Sequence, residues 1–185
     1  MSTEGWCVWI TGLPGSGKST IARALLKELQ KRGLHAQILS SDMLRRVITP
    51  KPTYSKEGRD VVYNAIVFVA ELLTQNGVNV IIDATGNRRR YRDHARKKIP
   101  RFLEAYIRCP LNVCIKRENE RKKLFHAPKE VYQKAFTGRS LTVPGVGASY
   151  EEPMDPEVIM DSDALDRDEC AQKILDTIME TFLHE

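Results

Sequence analysis

The sequence predicts an α/β fold of three layers, in which a parallel sheet of five strands is covered by helices on both faces. Two observations lead to this prediction. Short apolar segments alternate along the chain with longer segments whose apolar residues recur at helical spacing. The short segments look apolar on both faces, which is typical of strands that are buried on both sides of a parallel sheet.

The five predicted strands are short and rich in residues that favour extended backbone. The first is the run Trp-Cys-Val-Trp-Ile. The strands are predicted at residues 6–10, 36–39, 78–82, 102–107 and 158–160.

The predicted helices have apolar residues three and four positions apart. Gly33 is the expected C-terminal cap of the first, and on the long second helix we expect Tyr63 and Phe68 to pack in the core. The helices are predicted at residues 19–31, 57–75, 111–118 and 169–182.

Length and composition limit the class of protein. The 185 residues are enough for one domain with a genuine core, and 42% hydrophobic with 29% charged residues exclude a disordered chain. No run of eighteen apolar residues occurs, and the polar N-terminus does not read as a secretory signal. We therefore expect a single cytoplasmic domain, residues 1–185, with no membrane partner.

Cysteine spacing and net charge give weaker evidence about the state of the thiols and the class of substrate. The four cysteines match neither a zinc pattern nor a Cys-x-x-Cys pair, so we expect reduced and mostly buried thiols. The formal charge of +5 suits a small anionic substrate or a nucleic acid and does not choose between them.

One motif assigns a chemistry directly. Residues 12–19 match G-x-x-x-x-G-K-[ST] at every fixed position, between a predicted strand and a predicted helix. Glycines let successive backbone N–H groups point at phosphate oxygens, the lysine reaches the β- and γ-phosphates, and the hydroxyl can ligate Mg²⁺. The motif predicts ATP or GTP binding, with Ser19 on the metal. The residues expected to bind nucleotide are Gly12, Leu13, Pro14, Gly15, Ser16, Gly17, Lys18, Ser19 and Thr20.

Two aspartates are candidates for the remaining chemistry, together with Lys18 as a catalytic group. Asp42 follows the second strand and Asp83 the third, and in an open α/β sheet both would lie near the phosphate loop. Either could orient the acceptor hydroxyl, take its proton or hold the metal. The alternative is a structural cap, in which Ser41 or Asp42 caps a helix at residues 43–47.

A basic stretch follows the fourth strand. Residues 117–139 are rich in Lys and Arg, and residues 141–148 contain Pro and Gly. We predict a mobile basic lid at about residues 117–148. A solvated helix face followed by a surface loop is the alternative.

Several segments together resemble the adenylylsulfate kinase family of P-loop kinases. The phosphate loop has the family form Gly-Leu-x-Gly-x-Gly-Lys-[ST]-[ST], and residues 40–45, Ser-Ser-Asp-Met-Leu-Arg, stand where the family has Asp-Gly-Asp-x-[IV]-Arg. Pro-Leu-Asn-Val-Cys at 110–114 and Tyr-Glu-Glu-Pro at 150–153 match two further segments. The resemblance covers nearly the whole chain.

The resemblance implies a reaction and a set of substrate residues. It implies a three-layer P-loop kinase fold, ATP and Mg²⁺ as cofactors, phosphorylation of the 3′-hydroxyl of adenylylsulfate in sulfate assimilation, and a possible homodimer. Its substrate-binding positions fall on Arg45, Arg59, Arg89 and Arg92.

The sequence departs from the family at the acceptor side. Ser40 replaces the first aspartate of the acidic turn, and Val62 replaces an asparagine. The turn Asp-Ala-Thr-Gly-Asn at 83–87 resembles that of kinases acting on polynucleotide or tRNA-linked hydroxyls. Such an acceptor, or another nucleotide, is therefore the alternative. A nucleotide-binding regulator without transfer activity is a third hypothesis, and the intact Lys18 and Ser19 argue against it.

Overall fold

The centre of the molecule is a parallel sheet. The structure is a computed structural model that describes residues 4–49, 54–120, 130–138 and 140–183. The strands are β1 (Cys7–Thr11), β2 (Ala36–Ser40), β3 (Asn79–Asp83), β4 (Phe102–Arg108) and β5 (Val158–Asp161). They lie in the order β2-β3-β1-β4-β5, and every neighbouring pair is parallel. The predicted fold class is confirmed.

Helices connect these strands, as parallel pairing requires. Those of the described residues are α1 (Lys18–Lys31), α2 (Ser41–Ile48), α3 (Lys56–Gln75), α4 (Arg89–Lys98), α5 (Leu111–Glu120), α6 (Val131–Phe136) and α7 (Arg167–Ile178). Gly33 follows α1 with φ +73°, as expected of a C-terminal cap. The last predicted helix is shorter than expected, because α7 gives way to a π-helical turn at Met179–Leu183.

Two apolar cores lie on opposite faces of the sheet, because side chains alternate along each strand. In β1, Val8 and Ile10 join the core that includes α1 and α7, whereas Cys7 and Trp9 join the core that includes α3 and α4. The sheet is therefore covered on both faces, and its carboxyl edge is the place where the connecting segments can form a site.

The long helix α3 buries one side only. Tyr63 is 4% exposed and lies in the core as predicted, but Phe68 is 65% exposed, so the prediction for Phe68 is wrong. Five positions along a helix turn a side chain by about 140°, so the two residues face different directions. Val61 and Leu72 are half exposed as well, and with Phe68 they form a stripe of exposed apolar residues on α3.

Part of the predicted lid is described, and it packs on the phosphate loop. Tyr132 of α6 is fully buried in a small third core with Val143, Cys109 and Cys114, and its hydroxyl donates to the carbonyl oxygen of Pro14 at 2.8 Å. Residues 121–129 and 139 of the predicted lid lie outside the described residues. The four cysteines are all buried, as expected. Within the described ranges, none of the helices combines the length and apolarity needed to cross a membrane.

Candidate active site

Most of the predicted functional residues meet in one cavity at the carboxyl ends of β1, β2 and β3. Ile10 and Ser40 both pair with Asp83, so the three strands end side by side. The cavity has a volume of about 650 Å³. The predicted residues that line it are Pro14, Gly15, Gly17, Lys18, Ser19, Thr20, Asp42, Arg45, Arg59 and Asp83.

The phosphate loop depends on glycine at two positions. Gly12 and Gly15 have φ angles of +152° and +81°, which side-chain-bearing residues rarely adopt. A Cβ atom on Gly15 would also lie 2.4 Å from the carbonyl oxygen of Cys114, so α5 leaves no room for one. The loop ends at the N-terminus of α1, where backbone N–H groups and the helix dipole attract anions.

The Lys18 ammonium group is held inside the loop. Its Nζ donates to the carbonyl oxygen of Gly12 at 3.0 Å and to that of Leu13 at 2.8 Å. Burial lowers the pKa of Lys18, and the negative charge of Asp83 acts in the opposite direction. Phosphate oxygens in the loop would replace the two carbonyl oxygens as partners of the ammonium group.

Ser19 and Asp83 form an oxygen-rich pair beside Lys18. The Asp83 carboxyl group at the end of β3 is 7% exposed and accepts a hydrogen bond from the Ser19 hydroxyl. Burial raises the pKa of Asp83, while this hydrogen bond and the charge of Lys18 lower it. Hydroxyl and carboxylate oxygens are the ligands that Mg²⁺ prefers. The two residues therefore fit a magnesium ion at the phosphate loop.

The residue that caps the N-terminus of α2 is not one of the two candidates named from the sequence. Ser40, not Ser41 or Asp42, occupies the N-cap position, and its Oγ accepts from the backbone N–H of Met43 at 3.4 Å. The alternative that Ser41 or Asp42 caps this helix is therefore wrong, because the helix begins two residues earlier than predicted. Asp42 instead lines the cavity, where its Oδ1 accepts from the hydroxyl of Tyr54 at 3.1 Å.

Two arginines line the cavity beyond Asp42. Arg45 is 2% exposed, and its guanidinium carbon lies 4.4 Å from the ring centre of Tyr54. The Arg59 Nε donates to the carbonyl oxygen of Tyr54 at 3.0 Å, and its Nη2 donates to the carbonyl oxygen of Thr142 in the predicted lid. Burial lowers the pKa of Arg59, and the nearby positive charge of Arg45 lowers it further.

The structure places the other two predicted arginines elsewhere. Neither Arg89 nor Arg92 is among the residues that line the cavity. Arg92 is 1% exposed, and its guanidinium group bonds to Glu104 at 2.5 Å and to the carbonyl oxygens of Gly86 and Glu151. All three nitrogen atoms of this guanidinium group donate hydrogen bonds to protein atoms. These contacts do not support a role of Arg92 in substrate binding.

Arg89 lies on the surface of the same helix. Its Nε donates to the carbonyl oxygen of Glu152 at 2.7 Å. Both arginines therefore join α4 to the segment that leads into β5, which contains the Tyr-Glu-Glu-Pro match. Their contacts in the structure serve the packing of that segment.

Several cavity residues carry no local sequence signal. Arg117 at the start of the predicted lid lines the cavity and bonds to Ser162, through Oγ at 3.1 Å and the carbonyl oxygen at 2.6 Å. Ser162 in turn donates to the carbonyl oxygen of Ser16 at 2.9 Å. Tyr54 also lines the cavity, and it comes from a stretch that matches no motif.

The fold and this cavity define a P-loop phosphotransferase, in which a phosphate-binding loop, carboxylates and arginines face one space. The family model for adenylylsulphate kinase matches residues 4–161. This chain therefore belongs to the adenylylsulfate kinase family, and the predicted resemblance is confirmed.

Individual relatives and one solved structure also support membership of the adenylylsulfate kinase family. The chain is 38% identical over 172 residues to a probable adenylyl-sulfate kinase of Pyrococcus abyssi, covering 93% of this chain and 94% of the relative. It is 37% identical to an adenylyl-sulfate kinase of Rippkaea orientalis, covering 94% and 91%. A structure of the Mycobacterium tuberculosis APS kinase in complex with AMPPNP and APS superposes with a TM-score of 0.84 at 30% identity, covering 95% and 98%.

Proposed function

We propose that this chain transfers the γ-phosphoryl group of ATP to the 3′-hydroxyl of adenylylsulfate. The observation that carries the proposal is the meeting of the phosphate loop, Asp42, Arg45 and Arg59 in one cavity. Phosphoryl transfer requires a nucleotide clamp, charge neutralisation and an aimed acceptor oxygen. The cavity offers a group for each requirement, and membership of the family suggests the acceptor.

On the nucleotide side, the backbone N–H groups of residues 12–19 cradle the phosphates of ATP. Lys18 leaves the two loop carbonyl oxygens and neutralises charge on the β- and γ-phosphates. Ser19 and Asp83 would hold a magnesium ion, which would supply neutralisation of the charge that develops on the same phosphates.

On the acceptor side, Asp42 accepts the proton of the 3′-hydroxyl as its oxygen attacks the γ-phosphorus. A new oxygen–phosphorus bond forms while the bond to the bridging oxygen breaks, and ADP leaves with that electron pair. Arg45 and Arg59 bind the anionic groups of adenylylsulfate through charge-assisted hydrogen bonds. The proposed lid role of residues 117–148 is supported, within the described residues, by the contacts of Tyr132 with Pro14 and of Arg59 with Thr142.

A panel of acceptors tests the reaction. Radiolabelled ATP with Mg²⁺ is incubated with adenylylsulfate, with AMP, and with a short RNA that ends in a free hydroxyl. We expect label on adenylylsulfate only, with little effect of added salt. Salt-sensitive transfer to RNA and none to adenylylsulfate would favour the alternative acceptor that the turn at 83–87 suggests.

The variant Arg59→Ala tests the acceptor side separately. We expect it to raise the KM for adenylylsulfate by about 10- to 150-fold, the loss of about 1.5–3 kcal/mol for a hydrogen bond to a charged group, with little change in the KM for ATP. Arg89→Ala is the matched control, because Arg89 is an arginine of the same predicted set outside the cavity. Equal effects of both variants on the acceptor KM would contradict the assignment of Arg59.

A further inference from the structure

Tyr54 touches all three residues that we place on the acceptor side. Its hydroxyl donates to the Oδ1 of Asp42 at 3.1 Å, and its ring centre lies 4.4 Å from the guanidinium carbon of Arg45. Its carbonyl oxygen accepts from the Nε of Arg59 at 3.0 Å. Because Tyr54 also lines the cavity, one residue connects the proposed proton acceptor to both proposed anion-binding arginines.

The backbone at Tyr54 is held by the start of α3. The next residue, Ser55, is the N-cap of α3, and its Oγ accepts from the backbone N–H of Gly58 at 3.1 Å. Arg45 Nη1 in turn donates to the carbonyl oxygen of Gly58 at 3.3 Å. Tyr54 therefore directly precedes the capped first turn of α3, and its side chain contacts α2 through Asp42 and Arg45.

We propose that Tyr54 is a positioning residue, which sets the orientation of the Asp42 carboxylate towards the acceptor hydroxyl and holds Arg45 in place. This inference rests on the proposed function. A hydrogen bond to Oδ1 limits rotation of the carboxylate plane, and so sets the direction in which Oδ2 points. The ring meanwhile gives the Arg45 guanidinium group an aromatic face to lie on.

The electrostatic surroundings keep the Tyr54 hydroxyl a donor. Burial raises the pKa of Tyr54, and the negative charge of Asp42 raises it further. The phenol therefore stays protonated at the neutral pH of the reaction, and its proton remains on the hydrogen bond to Asp42. Tyr54 serves as the donor that orients the carboxylate and does not itself exchange a proton with the acceptor.

The variant Tyr54→Phe tests the hydroxyl alone, because it retains the ring beside Arg45. With adenylylsulfate and ATP we expect kcat to fall on the order of tenfold, as for loss of one hydrogen bond to a charged group, with both KM values within about twofold of wild type. Tyr54→Leu removes the ring as well, and should additionally raise the KM for adenylylsulfate several-fold. A uniform rise of KM with unchanged kcat in Tyr54→Phe would overturn the positioning role.

A second tyrosine–aspartate pair provides the matched control. The hydroxyl of Tyr91 donates to the Oδ1 of Asp60 at 2.6 Å, and neither residue lines the cavity. Tyr91→Phe therefore removes the same kind of hydrogen bond away from the reaction, and it should keep the wild-type kcat. If Tyr54→Phe and Tyr91→Phe changed kcat equally, the effect would be one of general packing, and the inference would be wrong.

A double-mutant cycle separates this inference from the proposed function. If Tyr54 acts through Asp42, Tyr54→Phe should lower kcat in the wild-type background and cause little further loss in Asp42→Asn. Full additivity of the two losses would overturn the inference while leaving Asp42 in its role. Two other outcomes would overturn the proposed function and this inference with it. One is a wild type that does not turn over adenylylsulfate, and the other is an Asp42→Asn variant that turns it over at the wild-type rate.

Discussion

Lys18 and Asp83 are buried groups of opposite charge in the phosphate loop region, and each leads to a prediction at the scale of the residue. For Lys18→Ala, we expect turnover to fall by about 10²- to 10³-fold, because one preorganised donor to the developing charge is worth about 2.7–4 kcal/mol. Burial already disfavours the charged form of the Lys18 side chain, as its lowered pKa indicates. We therefore expect the variant to retain the fold.

The measurement for Lys18 is phosphoryl transfer from radiolabelled ATP, together with the thermal midpoint of unfolding. Lys27→Ala is the control, because Lys27 lies on the exposed side of the same helix. Near-normal turnover of Lys18→Ala would contradict the assignment of the nucleotide site. A large fall of the midpoint would show that the lysine has a structural role.

Asp83 predicts a pH dependence of stability for the protein without ligands. Its pKa is raised above the ordinary value of 3.8 by burial, so the folded state retains its proton to higher pH than the unfolded state. The contribution of Asp83 to stability is therefore fully present below pH 3.8, and it is lost as the pH rises through the folded-state pKa.

Urea unfolding across this pH range, with Asp83→Asn as the comparison, measures the contribution. As the pH rises, the wild type should lose stability relative to the Asp83→Asn variant. Mg²⁺ with ATP should reverse the trend in the wild type only, because a bound cation favours the ionised carboxylate. An identical pH profile of the two proteins would contradict the raised pKa of this group.

At the scale of the element, the ion pair between α4 and β4 explains why Arg92 is buried. Arg92 and Glu104 are 1% and 5% exposed, and the same guanidinium group bonds to the segment before β5. Arg92→Met should destabilise the fold by about 3–5 kcal/mol, because Glu104 would lose its buried partner. The folded fraction should keep the KM for adenylylsulfate, which distinguishes this role from substrate binding.

Denaturant unfolding and steady-state kinetics on the same preparation test Arg92→Met. Arg59→Ala gives the opposite pattern, with a large change of KM. If Arg92→Met raised the acceptor KM strongly at unchanged stability, Arg92 would be a substrate residue after all, as the family resemblance implies.

At the scale of the whole molecule, the stripe of exposed apolar residues on α3 is the candidate contact for the homodimer that the resemblance implies. Val61, Phe68 and Leu72 are 53%, 65% and 50% exposed on one helix. Apolar residues that recur over eleven positions of one helix face are typical of a surface that a partner covers. In the homodimer that the resemblance implies, this stripe is the surface that we expect a second copy of the chain to cover.

Phe68→Glu tests this assembly. We expect a dimeric wild type, measured by size-exclusion chromatography with light scattering, and a variant shifted towards monomer, because a carboxylate in an apolar contact loses its hydration. Met154→Glu is the control, since Met154 is 82% exposed outside the stripe. A wild type that is monomeric at micromolar concentration, or a dimer that Phe68→Glu leaves intact, would contradict the proposal.

Features that depend on neighbouring residues in the chain could be predicted from the sequence. The phosphate loop is contiguous, and its glycines act through backbone angles that any surrounding fold must respect, as at Gly15 with φ +81°. The strands and long helices follow from apolar periodicity, which requires only that one face be buried. Asp83 was predicted at the carboxyl edge of the sheet because it directly follows the apolar residues Val80 to Ile82 of β3.

Features that depend on distant contacts could not be predicted in this way. Ser40 and Asp42 are both good capping residues, and only the observed start of α2 shows that Ser40 caps while Asp42 faces the cavity. Phe68 and Tyr63 both fit an apolar helix, and only the packing of α3 on the sheet shows which one is buried.

The fold class, the phosphate loop and the family could all be predicted from the sequence, because each is encoded by local spacing or by contiguous motifs. The tertiary structure alone decided which arginines face the cavity. Arg59 and Arg92 are of one residue type and both lie on helices, yet Arg59 lines the cavity while Glu104 holds Arg92 inside the fold. The partners of a long charged side chain come from segments remote in sequence, and so its direction is set only when those segments pack together.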